Sequence, residues 1–473
     1  MIIHIARVFL ILFEVIILFN LLIVVHELGH FLAARWRGLY IEKFGIWFGK
    51  PLWKKTINGV QYSLGSLPFG GFVALPQLAP MDIIEGKADI DREKLAPISA
   101  LDKIIVAIAG PFFSMLLALT FACIVWAVGH PVGEADSTTV VGYVAPESPA
   151  RKVDLQPGDK ILEVDGKPVT RFLGMTDSVS WNVVRSEGEK IALKFERNGT
   201  VQTVSVEPYK AETRGWRRKS VRQLLIYPAE TPIIDEVEPN TPAAEAGLRP
   251  RDVIRGFNQT TIYSPIALLE YINQHPDEQL VLQVERDGTK LDVPVKPKLL
   301  LTEGKMKPRI GIRWDADGKL SISHPNPVEQ VYKSVTGTLN TIGAIASPKS
   351  DVKLQHLSGP VGIGRIYYLL FQNERGWQLA IWFSVILNVN LAILNMLPIP
   401  VLDGGHIVLA IIESIRRKPV NMRVLEVVQT ACAALIIGYM LYVTFFDVQD
   451  LPFVRKQLDQ MESKPPAKDS DAP

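Results

Sequence analysis

Apolar residues in this chain gather into a few long blocks, and the sequence between them alternates polar and apolar residues in the ordinary way of a soluble domain. Residues 5–25 are almost unbroken apolar sequence, and Phe31-Leu32-Ala33-Ala34 resumes the run after a short polar interruption. Membrane spans are predicted at residues 8–34, 104–128, 377–397 and 424–446, each near or above the ~20 residues a bilayer requires. The first block is too long for a cleaved signal peptide and has no clear small-residue cleavage site. Residues 328–346 carry apolar side chains at Val328, Val331, Val335, Leu339 and Ile342. That helical spacing predicts an amphipathic helix, on the outer face of the membrane or packed on the second of two repeated modules in the middle of the chain.

The middle of the chain repeats itself. Ser148-Pro149-Ala150 matches Thr241-Pro242-Ala243, and Leu155, Pro157, Asp159 and Ile161 match Leu248, Pro250, Asp252 and Ile254. The offset is constant, because 243 − 150 and 252 − 159 are both 93. Each copy then reaches an alternating apolar stretch folded around Asn198-Gly199 or Asp287-Gly288, a strong hairpin signal. A small β-rich domain is therefore duplicated. Gly158 of the first copy is Arg251 in the second, so the two copies are expected to differ in what they bind.

Charge adds orientation rather than function. Lys and Arg total 51 against 49 Asp and Glu, a net charge of +2, too small to imply a nucleic-acid partner. Basic residues follow the first span (Arg35, Arg37, Lys43, Lys50, Lys54, Lys55) and link the last two (Arg416, Arg417, Lys418, Arg423). The positive-inside rule makes both places cytoplasmic, leaving the termini and the repeated modules outside. Cys123 and Cys432 both fall in apolar blocks and read as packing residues.

The candidate chemistry lies in the first span. His26-Glu27-Leu28-Gly29-His30 puts two imidazoles at i and i+4 on one helix face. That spacing can hold Zn²⁺, with the neighbouring Glu as base. Ionisable groups at membrane depth are costly and mark function. Glu14, in the same span, has no such reading. A catalytic zinc takes three protein ligands, and the best third candidate is Asp403. Pro398 and Pro400 break the span just before it, and Gly404-Gly405 follow it. Asp403 also suits a helix N-cap, and His406 is another metal binder.

Two resemblances follow from these motifs. The order V-x-P-x-S-P-A … L-x-P-G-D-x-I resembles the PDZ domain in its circularly permuted bacterial arrangement, a module that receives peptides as an added strand. The HELGH motif, the Asn395-Met396-Leu397-Pro398-Ile399-Pro400-Val401-Leu402-Asp403-Gly404-Gly405 segment and the paired modules between the second and third spans resemble the site-2 protease family of intramembrane zinc metalloproteases. The resemblance implies one catalytic zinc on His26, His30 and Asp403, Glu27 as catalytic base, and Asn395 against the substrate backbone, with Asn388 and Asn390 as neighbours on the same helix. It implies that the stretch from Val60 to Leu75 is a re-entrant β-hairpin whose edge meets substrate. It also marks Leu357-Ser358-Gly359-Pro360-Val361-Gly362-Ile363 and Gly110-Pro111-Phe112-Phe113-Ser114 as family segments.

The expected fold is a multi-pass α-helical membrane protein of about four transmembrane helices, with a re-entrant β-hairpin and two tandem β-rich PDZ domains. Residues 1–128 form the first membrane part, 129–215 and 216–315 the PDZ modules, 316–376 an amphipathic region, 377–450 the second membrane part and 451–473 a polar tail. The implied activity is cleavage of transmembrane segments in the bacterial inner membrane, the active site toward the cytoplasm and the modules and termini periplasmic. The implied substrates are a truncated anti-sigma factor of an envelope stress response and remnant signal peptides, with peptides as ligands of the PDZ modules. The competing readings are a membrane-bound PDZ receptor without catalysis and a transporter lined by Asn388, Asn390 and Asn395.

Overall fold

The computed structural model describes residues 2–78, 95, 98–213, 215–302, 304–315, 318–418, 420–452 and 454–455. They fall into two compact units. One holds Met1–His130, His324–Leu339 and Leu354–Pro473, and the other Pro131–Ser323 and Asn340–Lys353. The polar tail lies, beyond residue 455, outside the described residues.

The first unit opens with α1 (Ile2–Trp36), then β1 (Lys43–Phe48), β2 (Trp53–Ile57), β3 (Val60–Leu64), β4 (Leu67–Ala74) and α2 (Ala100–Val128). The four strands form one sheet in the order β2-β3-β1-β4. The stretch from Val60 to Leu75 is therefore not a hairpin. Its two strands lie on either side of β1, which pairs parallel with β3 and antiparallel with β4. The hairpin is β2–β3, turned by Asn58 and Gly59 at φ 50° and 82°, the left-handed values a tight turn needs. The sheet packs on the last turns of α1, where Phe31, Phe44, Val73 and Leu75 share a core with Val106 of α2. The Phe31 and Phe44 rings meet edge-on at 5.3 Å. This packing fixes the sheet against the part of α1 that carries HELGH.

The second unit has two β-rich modules. The first contains β5 (His130–Val132), β6 (Val141–Val144), α3 (Pro149–Lys152), β7 (Lys160–Val164), β8 (Lys167–Pro168), α4 (Val179–Val184), β9 (Ile191–Arg197), β10 (Thr200–Val206) and β11 (Ile226–Pro228). The second contains β12 (Ile234–Val237), α5 (Pro242–Glu245), β13 (Val253–Phe257), β14 (Thr260–Thr261), α6 (Pro265–Gln274), β15 (Leu280–Arg286), β16 (Thr289–Val295), β17 (Lys298–Thr302), β18 (Lys305–Arg309), β19 (Ile312–Trp314) and β20 (Ser321–Ser323). Each has its own core, built around Ile161, Leu193 and Phe195 in the first and Ile254, Leu282 and Val284 in the second. The first core reaches past the expected boundary at residues 215/216. Leu224 is part of it, and β11 pairs with β6. A strand closing a sheet with a partner some 80 residues earlier carries no local signal.

The repeated Asp has a structural role in both copies. Asp159 and Asp252 are each 1% exposed. Their carboxylates accept from Arg197 Nε at 2.6 Å and Arg286 Nε at 2.7 Å, each at the end of a hairpin strand. Burial alone would raise the Asp252 carboxyl, but the Arg286 guanidinium together with the Arg249 backbone amide and charge outweighs this and holds it below the usual carboxylate range. Gly158 and Arg251, the position where the copies differ, both take left-handed backbone, at φ 96° and 74°.

The chain ends with α7 (Pro327–Ala346), α8 (Pro360–Gln372), α9 (Gly376–Asn395), α10 (Asp403–Arg416) and α11 (Met422–Gln449). Among the described residues, four helices are long and apolar enough to cross a membrane: Ala6–Trp36, Ala100–Val128, Gly376–Asn395 and Arg423–Gln449. The third ends two residues before the expected limit, because Pro398 disfavours helical backbone at Leu397. Early α7 packs on two of these helices rather than lying free: Val331 and Val335 meet the Ala118, Phe121 and Val385 cluster, and Gln330 donates to Ala122 O at 3.1 Å. Its last turn joins the first β-rich module, where Ala344 packs on Trp181. The segment at residues 357–363 also gains a role. Gly359 and Gly362 both donate to the buried Asp447 of α11 at 2.9 Å, and a Cβ on either glycine would crowd that carboxylate.

Candidate metal centre

Three side chains from distant parts of the chain converge between α1, α2 and α10. His26 Nε2 lies 3.2 Å from Asp403 Oδ2, His30 Nε2 lies 3.3 Å from Asp403 Oδ1, and the two imidazole Nε2 atoms are 3.3 Å apart. Among the described residues these three form the group able to hold a metal ion. In a tetrahedral zinc site with bonds of about 2.0 Å, neighbouring ligand atoms stand roughly 3.3 Å apart. Each imidazole Nε2 already stands at that separation from the other and from one oxygen of the Asp403 carboxylate.

Hydrogen bonding explains why these atoms suit a cation. His30 Nδ1 donates to the Val106 carbonyl at 2.8 Å. A carbonyl only accepts, so the proton of a neutral ring sits on Nδ1 and leaves Nε2 as a bare lone pair. His26 Nδ1 is held by Ser114 Oγ at 2.9 Å. Asp403 Oδ2 is buried and receives no hydrogen bond. Acceptors facing one another at this range repel unless a cation lies between them. Zinc therefore fits the donor set, and the Nδ1 partners are the outer contacts that orient ligand imidazoles. Ser114→Ala is expected to weaken zinc binding by about 10- to 100-fold, measured by competition with a chromophoric chelator.

Small residues bring the helices together. Gly29 of α1 faces the Ala109 carbonyl of α2 so closely that a Cβ would overlap it. Gly110 lies beneath the metal-facing side of both imidazoles. A Cβ there would stand 2.8 Å from His26 Nε2 and closer still to His30 Nε2. Close helix crossing through small residues is how apolar helices approach within a bilayer. Sequence reasoning marked Gly110 only as part of a family segment and gave it no role, although a glycine beside a proline in an apolar helix was a usable signal.

Asp403 is the first residue of α10, and Leu402 rather than Asp403 is the N-cap. The chain from Met396 to Leu402 folds back over this first turn. A Cβ on Gly404 would strike the Met396 and Leu397 carbonyls, and one on Gly405 the Ile399 carbonyl. The two glycines thus admit the turn that aims the carboxylate at the imidazoles. Lys103 of α2 pairs with Glu413 of α10 at 2.7 Å and ties the two helices together.

Glu27 is half-buried beside the cluster and faces β4. A Cβ on Gly71 would stand 3.4 Å from Glu27 Cγ, so the Glu27 side chain lies against β4. Asn20, which sequence reasoning missed, is buried one turn and a half earlier and donates to Pro68 O at 3.0 Å, fixing the start of β4 to α1. The three asparagines of α9 separate clearly. Asn395 Nδ2 lies 3.4 Å from His26 Nε2. Asn388 is fully buried and donates to Ser384 O at 2.9 Å, and Asn390 accepts from Thr338 of α7. His406 is outside the three-residue cluster. Glu14 is half-buried, and no contact explains it.

Known proteins match this arrangement along nearly the whole chain. The pattern of peptidase family M50 matches residues 14–439. "Regulator of sigma-E protease RseP" of Escherichia coli strain K12 is 28% identical over 438 residues, covering 86% of this chain and 92% of that protein. A Neisseria meningitidis serogroup A protein whose name contains "zinc metalloprotease" is 28% identical over 447 residues, covering 91% of this chain and 97% of its own. A solved PDZ domain of an SdrC-like protein from Listeria innocua aligns with 18% of this chain and 93% of its own, at 17% identity and a TM-score of 0.17, a score from which nothing follows. With the family matched across the span that holds all the residues described above, the chain belongs to peptidase family M50, the site-2 proteases, and is a zinc metalloprotease.

Proposed function

We propose that the protein is an intramembrane endopeptidase whose zinc is held by His26, His30 and Asp403 and whose base is Glu27. The observation that carries this reading is the convergence of two imidazole Nε2 atoms, 3.3 Å apart, on the two oxygens of the Asp403 carboxylate at 3.2 and 3.3 Å, with both imidazoles on a helix of membrane-spanning length. Bound zinc would polarise the scissile carbonyl and acidify water at its open position. Glu27 then takes the proton of the attacking water and returns it to the departing amine. β4, which passes Glu27 at Gly71, confines that side chain.

An intact transmembrane helix hides its carbonyls in its own hydrogen bonds, so the substrate must unwind to be cut. β4 is the outer strand of its sheet and runs past Glu27. An extended substrate adds to its open edge, and Asn395 Nδ2, beside His26, donates to the substrate backbone near the cut. The relatives named for sigma-E regulation support a membrane-anchored anti-sigma factor, already shortened, as substrate, with remnant signal peptides as a second class. In this reading the enzyme sits in the bacterial inner membrane, the zinc toward the cytoplasm. The termini and two PDZ-type modules are periplasmic.

Co-expression with a doubly tagged single-span protein tests the assignment. The wild-type chain is expected to release a fragment cut within the span, and His26→Ala is expected to leave the substrate whole. Equal cleavage by both would refute it.

A further inference from the structure

The first β-rich module carries part of its own chain in a place suited to a peptide. α4 turns Val179 and Val183 into the module core, where Leu224 joins them and Ile226 packs. β11 pairs with β6 on one side only. The outer side of α4, with Trp181 and Val184, is covered by Ala344 and Ile345 from the end of α7 and by Val352. Val352 is 5% exposed.

The residue before Val352 is held as a ligand would be. Asp351 accepts from the Arg222 backbone amide at 3.1 Å, from Arg222 Nε at 3.2 Å and from Lys210 Nζ at 2.8 Å. Arg222 stands at the approach to β11, and its Nη1 donates to Gly188 O at 2.9 Å, which joins that approach to the loop after α4. Ser350, 2% exposed, shapes the segment by accepting the Val352 amide at 3.1 Å. The Trp181 indole N–H on this side of α4 is buried without a hydrogen-bond partner. An unsatisfied buried donor carries a free-energy cost. A competitor bringing a carbonyl there would recover it.

We propose that the outer side of α4, beside Arg222 and Lys210, is a peptide site held shut in cis by Ser350-Asp351-Val352. It takes an extended peptide whose carboxylate and adjacent aliphatic side chain replace those of Asp351 and Val352, and whose backbone carbonyl accepts from Trp181. Binding releases the last turn of α7, the helix whose earlier residues pack on α2 and α9. The inference rests on the reading of these modules as peptide receivers. It is independent of the zinc site.

The test uses the full chain in detergent and a fluorescent heptapeptide with the sequence of residues 347–353. The Asp351→Asn/Val352→Ser double variant is expected to bind the peptide at least tenfold more tightly than wild type, because its internal competitor is weakened. Lys210→Ala removes one contact from an exposed side chain, so it loosens the segment without disturbing the core. It is expected to speed amide exchange across residues 344–353 severalfold. Equal peptide affinity in wild type and double variant overturns the proposal. So does faster exchange without peptide capture, which would leave the segment a mere strut. Neither readout involves proteolysis, so failure here leaves the protease assignment untouched.

Discussion

Glu27→Gln is expected to lower cleavage of a membrane-spanning substrate by about 10²–10⁴-fold, the usual contribution of a positioned acid–base group. The amide keeps the shape of the carboxylate but cannot accept the proton of water. Glu27 is not one of the three clustered donors, so bound zinc should remain at wild-type content. Asp403→Ala differs in kind, because it removes a donor and should lose metal and activity together. The pairing of unchanged zinc with lost turnover separates a base from a ligand. It also separates an enzyme from a membrane-bound peptide receptor, whose function would survive the substitution. Cleavage by Glu27→Gln at the wild-type rate would remove Glu27 from the mechanism.

Gly110→Ala should be nearly as damaging, although it adds one methyl group to an apolar helix. The new Cβ would occupy the ground beneath both Nε2 atoms. The rings have little freedom to yield, because the Val106 carbonyl and Ser114 hydroxyl hold their other nitrogens. Relief requires breaking those bonds or parting α1 from α2. Zinc affinity is expected to fall by at least about 100-fold, beyond the loss of one outer hydrogen bond. The effect on folding should be small, since alanine favours helix over glycine by about 1 kcal/mol. Metal content and thermal unfolding of the purified variant read the two effects separately. Wild-type zinc affinity in this variant would contradict the described geometry.

The contrast between Gly110 and HELGH shows what the sequence could reveal. Two imidazoles at i and i+4 are a local pattern, and the Pro-Gly punctuation around Asp403 is local as well. Both could be read directly, and so could the repeat, because each module has its own core and hairpin. What stayed hidden depends on which segments meet. Gly110 and Ser114 matter only because α2 crosses α1 at Gly29. The stretch from Val60 to Leu75 reads as two strands, yet β1 enters between them from upstream, where Lys43–Phe48 is short and lacks clean alternation. β2 is exposed along its whole length, so no buried face marked it. The spacing of α7 was visible but not its partners, because Val331 and Val335 of the stripe serve α2 and α9 whereas Ala344 and Ile345, outside the stripe, serve the first module. Asn388, Asn390 and Asn395 could not be told apart until the structure gave each its neighbour.

Zinc content is the most direct check on the central claim. Wild-type protein purified without chelator should carry one zinc per chain and lose activity when a strong chelator strips it. Zinc should restore that activity, and Asp403→Ala should purify essentially metal-free. Full proteolysis by metal-free protein, or stoichiometric zinc in Asp403→Ala, would contradict the account.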